Sequence, residues 1–123
     1  RAESRTITYA AANNEPILIR DNTIIELPKD KMPVGKGEKQ DDFSLQQLNV
    51  ETGDMIYLYT DGYADQFGGD KGKKFKYKPL NDLLLSISHE NIATQKKVID
   101  NSFVSWKGNL EQVDDVLVVG IRI

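Results

Sequence analysis

The sequence predicts an α+β fold, with helices packed over a mainly antiparallel sheet. Three observations carry this. Short β-rich runs separated by turn pairs fill the first half, two segments with helical apolar spacing follow them, and a β-branched run closes the chain. The order is strands, helices, strand, without the βαβ alternation that marks a parallel sheet. At 123 residues the chain falls near the size of one domain, so residues 1–123 are expected to form a single unit.

Thr6 to Ala12, Pro16 to Arg20 and Thr23 to Leu27 are rich in β-branched residues and are separated by Asn13-Asn14 and Asp21-Asn22. Asn and Asp tolerate the left-handed backbone of tight turns, so these runs read as an antiparallel meander. Pro28 to Asp42 has proline, glycine and charge without apolar periodicity and reads as an irregular connection, with Met32 and Val34 as its anchors. Phe43 to Val50 alternates and then shifts phase, as an edge or bulged strand does. Asp54 to Thr60 is almost uniformly apolar and aromatic, the pattern of a central strand covered on both faces.

Pro79 opens a segment in which Leu80, Leu83, Leu84 and Ile87 fit helical spacing, predicting a helix over Pro79 to Ser88. Asn91 to Trp106 repeats the pattern with Ile92, Val98, Ile99, Phe103 and Trp106 before Gly108 stops it. The two helices are expected to be consecutive and antiparallel. Val116 to Ile123 is the final strand.

Composition narrows the function. Hydrophobic residues at 39% and charged residues at 28% are ordinary for a globular protein. A net charge of −3 supplies no basic field, so nucleic acid is not an expected partner. Cysteine is absent, which leaves oxygen ligands or the single histidine, His89, for any metal. Oxygen ligands favour a hard cation such as magnesium or manganese. No apolar run approaches the roughly 20 residues that cross a bilayer, and a cytoplasmic location is expected. The start at Arg1, close to a strand-like run, suggests a piece of a larger protein whose upstream part includes a sensor or a membrane anchor.

Two carboxylate clusters could carry chemistry. Asp61-Gly62 ends the apolar strand, where a rigid element would hold the carboxylate and glycine would allow a tight turn beside a ligand; it also reads as a simple strand-ending turn. Asp114-Asp115 precedes the last strand. Adjacent carboxylates repel unless a cation or hydrogen bonds compensate them, so the pair is either an oxygen-ligand site or a solvated loop. If neighbouring strands bring the two clusters together, metals held there could clamp a phosphate and lower the pKa of bound water. Phe67 to Lys74 has glycine hinges and lysines that could attract an acidic phosphopeptide, or it is a solvated loop. His89 reads as an exposed linker residue, and Leu83, Leu84, Phe103 and Trp106 read as packing residues.

Gly53-Asp54 through Thr60-Asp61-Gly62, then Asp65-Gln66, and Gln112-Val113-Asp114-Asp115 before a hydrophobic strand resemble the C-terminal half of PPM-type (type 2C-like) metal-dependent serine/threonine phosphatases. The resemblance is to the bacterial subgroup like stage II sporulation protein E. Tyr9 to Asn14 with Pro16 to Arg20, and Lys31 to Gly35, are similar to the same pattern, so it covers nearly the whole chain. It implies an α/β/β/α sandwich of which this chain supplies part. It implies Mn2+ or Mg2+ in a two-metal site, with Asp61 and Asp114 as ligands acting through metal-bound water and Asp115 supporting the site through hydrogen bonds. Gly62 would serve the turn. A phosphoprotein substrate and a sensor region of the same parent chain are the implied partners.

The family's early aspartate segment does not occur in this sequence, so the chain alone is expected to be inactive. A catalytically inactive regulatory or protein-interaction module, or a purely structural domain, are the competing readings. A partial sandwich exposes an apolar sheet face and unpaired strand edges, so self-association is also expected.

Overall fold

The structure is a computed structural model that describes residues 5–9, 16–26 and 46–123. In chain order the elements are β1 (Arg5–Tyr9), β2 (Ile17–Arg20), β3 (Thr23–Glu26), β4 (Gln46–Val50), β5 (Met55–Tyr59), α1 (Gly62–Asp65), β6 (Phe67–Gly68), β7 (Lys73–Lys74), α2 (Tyr77–Ile87), α3 (Ile92–Lys107) and β8 (Val118–Arg122). Helices and antiparallel pairings together confirm the α+β class. The chain divides into two compact units, Arg1–Leu58 with Ile121–Ile123, and Tyr59–Gly120.

In the first unit, Asp21 and Asn22 have φ of 52° and 60°, and they close the β2–β3 hairpin as its two-residue loop. Two successive positive φ values give the turn whose twist matches the flanking strands, and Asp and Asn reach them at low strain. β2 also pairs with β5, with Ile17, Leu18 and Ile19 opposite Tyr57, Ile56 and Met55, in a sheet of order β3-β2-β5-β8. Ile123 extends the β8 edge, accepting from the Gly53 N–H at 3.0 Å and donating to the Asp54 carbonyl at 2.9 Å.

β1 pairs antiparallel with β4, Ile7 facing Leu48, as a separate two-stranded ribbon. This corrects the meander, since β1 does not join β2. Turn signals report only neighbours in sequence, whereas the pairing is selected by burial: Ile7, Leu48 and Val50 of the ribbon pack with Leu18, Ile25, Ile56 and Ile123. The predicted two-sided cover of β5 holds for Met55, Ile56 and Tyr57, each at most 5% exposed, but Leu58 is 43% exposed. Burial pushes the Tyr57 phenol up to about 12.

The first unit also buries a charge. Asp54 is 2% exposed and receives the Arg20 guanidinium on both oxygens, with Nη2 to Oδ2 at 2.8 Å and Nε to Oδ1 at 3.1 Å. The Glu51 N–H adds a third donor at 2.8 Å. These donors, the Arg20 hydrogen bonds first, hold the Asp54 carboxyl below the usual carboxylate range against the opposing effect of burial.

In the second unit, Asn91 caps α3 by accepting the Thr94 N–H at 2.8 Å, and Gly108 ends the helix at φ 55°. Gln95, 3% exposed, donates to the Ser88 and Glu90 carbonyls and ties down the α2–α3 connection. Leu80, Leu84, Ile87 and Phe103 are buried, as the spacing requires, while Ile92 is 48% exposed and Gln95 is buried instead. Tyr63 and Phe75 meet edge-on at 5.3 Å, as do Phe75 and Trp106 at 5.4 Å.

The remaining differences are at boundaries. Helix α2 starts at Tyr77, not Pro79, which lies inside the first turn, where its missing N–H is one that the helix leaves unbonded in any case. The final strand begins at Val118, because Asp115 to Leu117 are bound to Thr60 instead of entering the ladder as part of β8. Ala10 to Ala12, Leu27, the connection from Pro28 to Asp42 and Phe43 to Leu45 lie outside the described residues. Among the described residues no helix is long and apolar enough to cross a membrane.

Candidate active site

β5 delivers Thr60 and Asp61 to the start of α1. Thr60 is a clasp: its N–H donates to the Leu117 carbonyl at 3.0 Å, its hydroxyl donates to the Asp115 carbonyl at 3.1 Å, and its oxygen accepts the Leu117 N–H at 3.1 Å. The end of the apolar strand and the Asp114-Asp115 loop are therefore brought together, as the sequence allowed. Gly62 is buried, and a Cβ there would collide with the Asp115 carbonyl and meet the Val116 side chain. Its role differs from the expected one. Gly62 is the first residue of α1, and it is needed for close approach of the Asp115 backbone, not for a turn.

The loop before Asp114 is held from below by Gln66, which is fully buried. Its amide donates to the Glu111 carbonyl at 2.8 Å and accepts the Val113 N–H at 3.4 Å, while its backbone carbonyl takes the Trp106 indole N–H at 2.8 Å. A buried amide with all these partners is a rigid staple. Asp114 Oδ1 accepts the Asp115 N–H at 2.7 Å, and the Gln112 amide donates to the Asp114 carbonyl at 2.9 Å. The bonds that tie Asp115 to the site run through its backbone.

Asp61, Asp114 and Asp115 are all exposed. Asp61 Oδ1 accepts the Tyr77 hydroxyl at 2.5 Å. The Tyr77 ring stacks on Tyr59 at 6.1 Å, and the Tyr59 hydroxyl donates to Asn81 Oδ1 at 3.0 Å. Burial first, then the hydrogen bond to Asp61 and its charge, raises the Tyr77 phenol well above its ordinary range. Tyr77 and Gln66 were not identified from the sequence. The only signal for Tyr77 was an aromatic just ahead of a helical pattern, and Gln66 appeared only as part of the family-like motif.

Other candidates take plainer places. His89 is exposed and lies 3.3 Å from Glu90. Phe67 to Lys74 is a small β6–β7 hairpin, not an unstructured loop; Gly68 and Gly69 lie so close to Trp106 that a side chain at either would overlap it. The lysines of this hairpin, Lys71, Lys73 and Lys74, are exposed.

Asp61 and Asp114 offer the oxygen donors that hard divalent cations take. Among the described residues no group of three or more His, Asp or Glu side chains is placed to hold a metal ion. The donor chemistry therefore fits Mg2+ or Mn2+ as a partial set.

The family model for stage II sporulation protein E (SpoIIE) matches residues 1–123. No curated protein matches the chain by sequence. Among solved structures, the SiaA-PP2C domain of Pseudomonas aeruginosa is 23% identical with a TM-score of 0.82, over 97% of this chain and 46% of that one. The PP2C phosphatase domain of SpoIIE from Bacillus subtilis, solved with a fragment of its regulatory domain, is 14% identical with a TM-score of 0.60, over 98% of this chain and 34% of that one. A manganese-presoaked phosphatase domain of the same protein is 12% identical with a TM-score of 0.54, over 99% of this chain and 51% of that one. The chain thus spans about half or less of the length of the solved structures it matches, and it shares their mixed helix and antiparallel-sheet fold. With the family model matched from the first residue to the last, the chain belongs to the stage II sporulation protein E (SpoIIE) family.

Proposed function

We propose that this chain supplies one half of a metal-dependent phosphatase domain that hydrolyses phosphoserine or phosphothreonine on a partner protein in bacterial signalling. The observation that supports it most is the Thr60 clasp, which sets Asp61 and the Asp114-Asp115 loop side by side in backbone terms. Asp61 and Asp114 would hold Mn2+ or Mg2+, and Asp115 would keep the loop in place. When bound, the metal supplies positive charge against the phosphate and makes water a stronger nucleophile. This chain has no cysteine to serve as a covalent nucleophile, in keeping with direct attack by water on phosphorus.

The rest of the domain, about half of the matched structures by length, would supply the remaining carboxylates. A sensor region elsewhere in the parent chain would control the activity on the cytoplasmic side, and the chain in isolation would self-associate. The decisive experiment is manganese-dependent hydrolysis of p-nitrophenyl phosphate by this chain and by the intact domain, side by side. Activity in the intact domain alone is the expected result. Activity in neither favours the second reading, an inactive interaction module, which the lack of a three-ligand cluster among the described residues supports.

A further inference from the structure

We infer that Tyr77 is a positioning residue for the Asp61 carboxylate, fixing through its hydroxyl the orientation in which that carboxylate takes a divalent cation. The inference rests on the proposed metal role of Asp61. A hydroxyl-to-carboxylate distance of 2.5 Å is at the short, charge-assisted end of such bonds, so it restrains the carboxylate strongly. The bond engages Oδ1 alone.

Tyr77 is itself held from three sides. Its ring stacks on Tyr59, at the end of the strand that delivers Asp61. Asn81, four residues on and so on the same face of α2, accepts the Tyr59 hydroxyl at 3.0 Å. The start of α2 and the end of β5 are thereby cross-braced, with Tyr77 reaching to Asp61 and Tyr59 reaching to Asn81.

The third restraint is the backbone. Lys76, the residue before Tyr77, has φ 81° and ψ 163°, a region that side-chain-bearing residues rarely occupy. Its N–H donates to the Ala64 carbonyl at 2.7 Å and its carbonyl accepts the Leu80 N–H at 3.4 Å. Strain of this kind persists only where the surroundings over-determine it. Here it sets the entry of α2 so that its first side chain reaches Asp61. Outer partners that orient metal ligands in this way are worth 10- to 100-fold in metal affinity as a general range, so roughly 10-fold is expected of one hydroxyl.

The test is Mn2+ titration of the intact domain by isothermal calorimetry, beside thermal melting. Tyr77→Phe keeps the ring and its stack, so it should fold normally while weakening Mn2+ binding about 10-fold. On an Asp61→Asn background the same change should have no further effect, because its target carboxylate is gone. Tyr63→Phe removes a hydroxyl bound to the Ile99 carbonyl at 2.9 Å, and should lower the melting temperature without moving Mn2+ affinity. Unchanged affinity in Tyr77→Phe, where Asp61→Asn binds Mn2+ more weakly than wild type, overturns the inference alone. Equal binding by wild type and Asp61→Asn overturns the metal role of Asp61 and the inference with it.

Discussion

The strand β5 is flanked by two carboxylates with opposite fates. Asp54, just before it, is buried and receives Arg20 on both oxygens plus a backbone N–H. Asp61, two residues beyond its end, is exposed and takes one phenol hydroxyl. A buried carboxylate is tolerable only when its charge is matched, and once matched it has little to offer a ligand. A carboxylate oriented by neutral donors keeps its charge for something else. The difference teaches that the partner supplied, and not the residue type, decides whether an acid at either end of the strand has its charge matched within the protein.

Neutralising the acids in turn is the strongest way to break this comparison. Asp61→Asn or Asp114→Asn should lower manganese-dependent hydrolysis in the intact domain by more than about 100-fold, the upper range for mere outer partners, with little change in melting temperature because both side chains are exposed. Phosphatase assay beside calorimetry checks both halves. Asp54→Asn should do the reverse. It removes the buried charge partner of Arg20, leaving the exposed Glu51 carboxylate at 3.7 Å, and should reduce unfolding free energy by about 3 kcal/mol in urea titration, at the lower end for broken buried pairs because Arg20 is partly exposed and keeps that second acid. Mn2+ affinity should not move.

Acid sharpens the same contrast. Because the Asp54 carboxyl is held below its ordinary value in the folded state, the unfolded chain takes up the proton first as pH falls. Its stabilisation is complete above about pH 4, near the unfolded carboxylate value, and is lost as the pH falls from there through the lower folded value. Wild type should therefore lose more stability than Asp54→Asn between about pH 4 and pH 2 in urea titrations, and equal losses would remove Asp54 as the cause.

Gly62→Ala tests the clasp. The new methyl meets backbone, which has no flexible end to swing away, so a loss of about 2 kcal/mol is expected from overpacking, with weakened Mn2+ binding as the Asp115 segment is displaced. Thermal melting with calorimetry reads both. The smallest effect is expected from Lys76→Gly. It should relieve about 1–3 kcal/mol of backbone strain against about 0.5–1 kcal/mol of added unfolded-state freedom, for a net gain of about 1 kcal/mol in urea titration.

Much of the fold was legible because its signals are local. Asp21-Asn22 is a turn by its own chemistry, Gly108 a stop, and Leu80, Leu84 and Ile87 of α2 a buried face by their spacing. The β1–β4 pairing was not legible, since the two strands lie far apart in sequence and nothing local marks one as the partner of the other. Within the site, Asp61 and Asp114-Asp115 stood out as acids at strand ends. Gln66 and Tyr77 did not, because a glutamine staple and a phenol donor acquire their roles only from what packs around them.

The sequence by itself determined the α+β class, the family pattern, the lack of cysteine in these 123 residues and the acids at the strand ends, because these depend on residue type, spacing and period. Only the tertiary structure decided that Asp54 is neutralised while Asp61 is not, and that Thr60 fastens the strand end to the Asp114-Asp115 loop. The physical reason is that a carboxylate's surroundings, and the placing of the loop that carries it, depend on donors 16 to 55 positions away: Arg20 for the Asp54 carboxylate, Tyr77 for the Asp61 carboxylate, and Thr60 for the Asp115 backbone carbonyl.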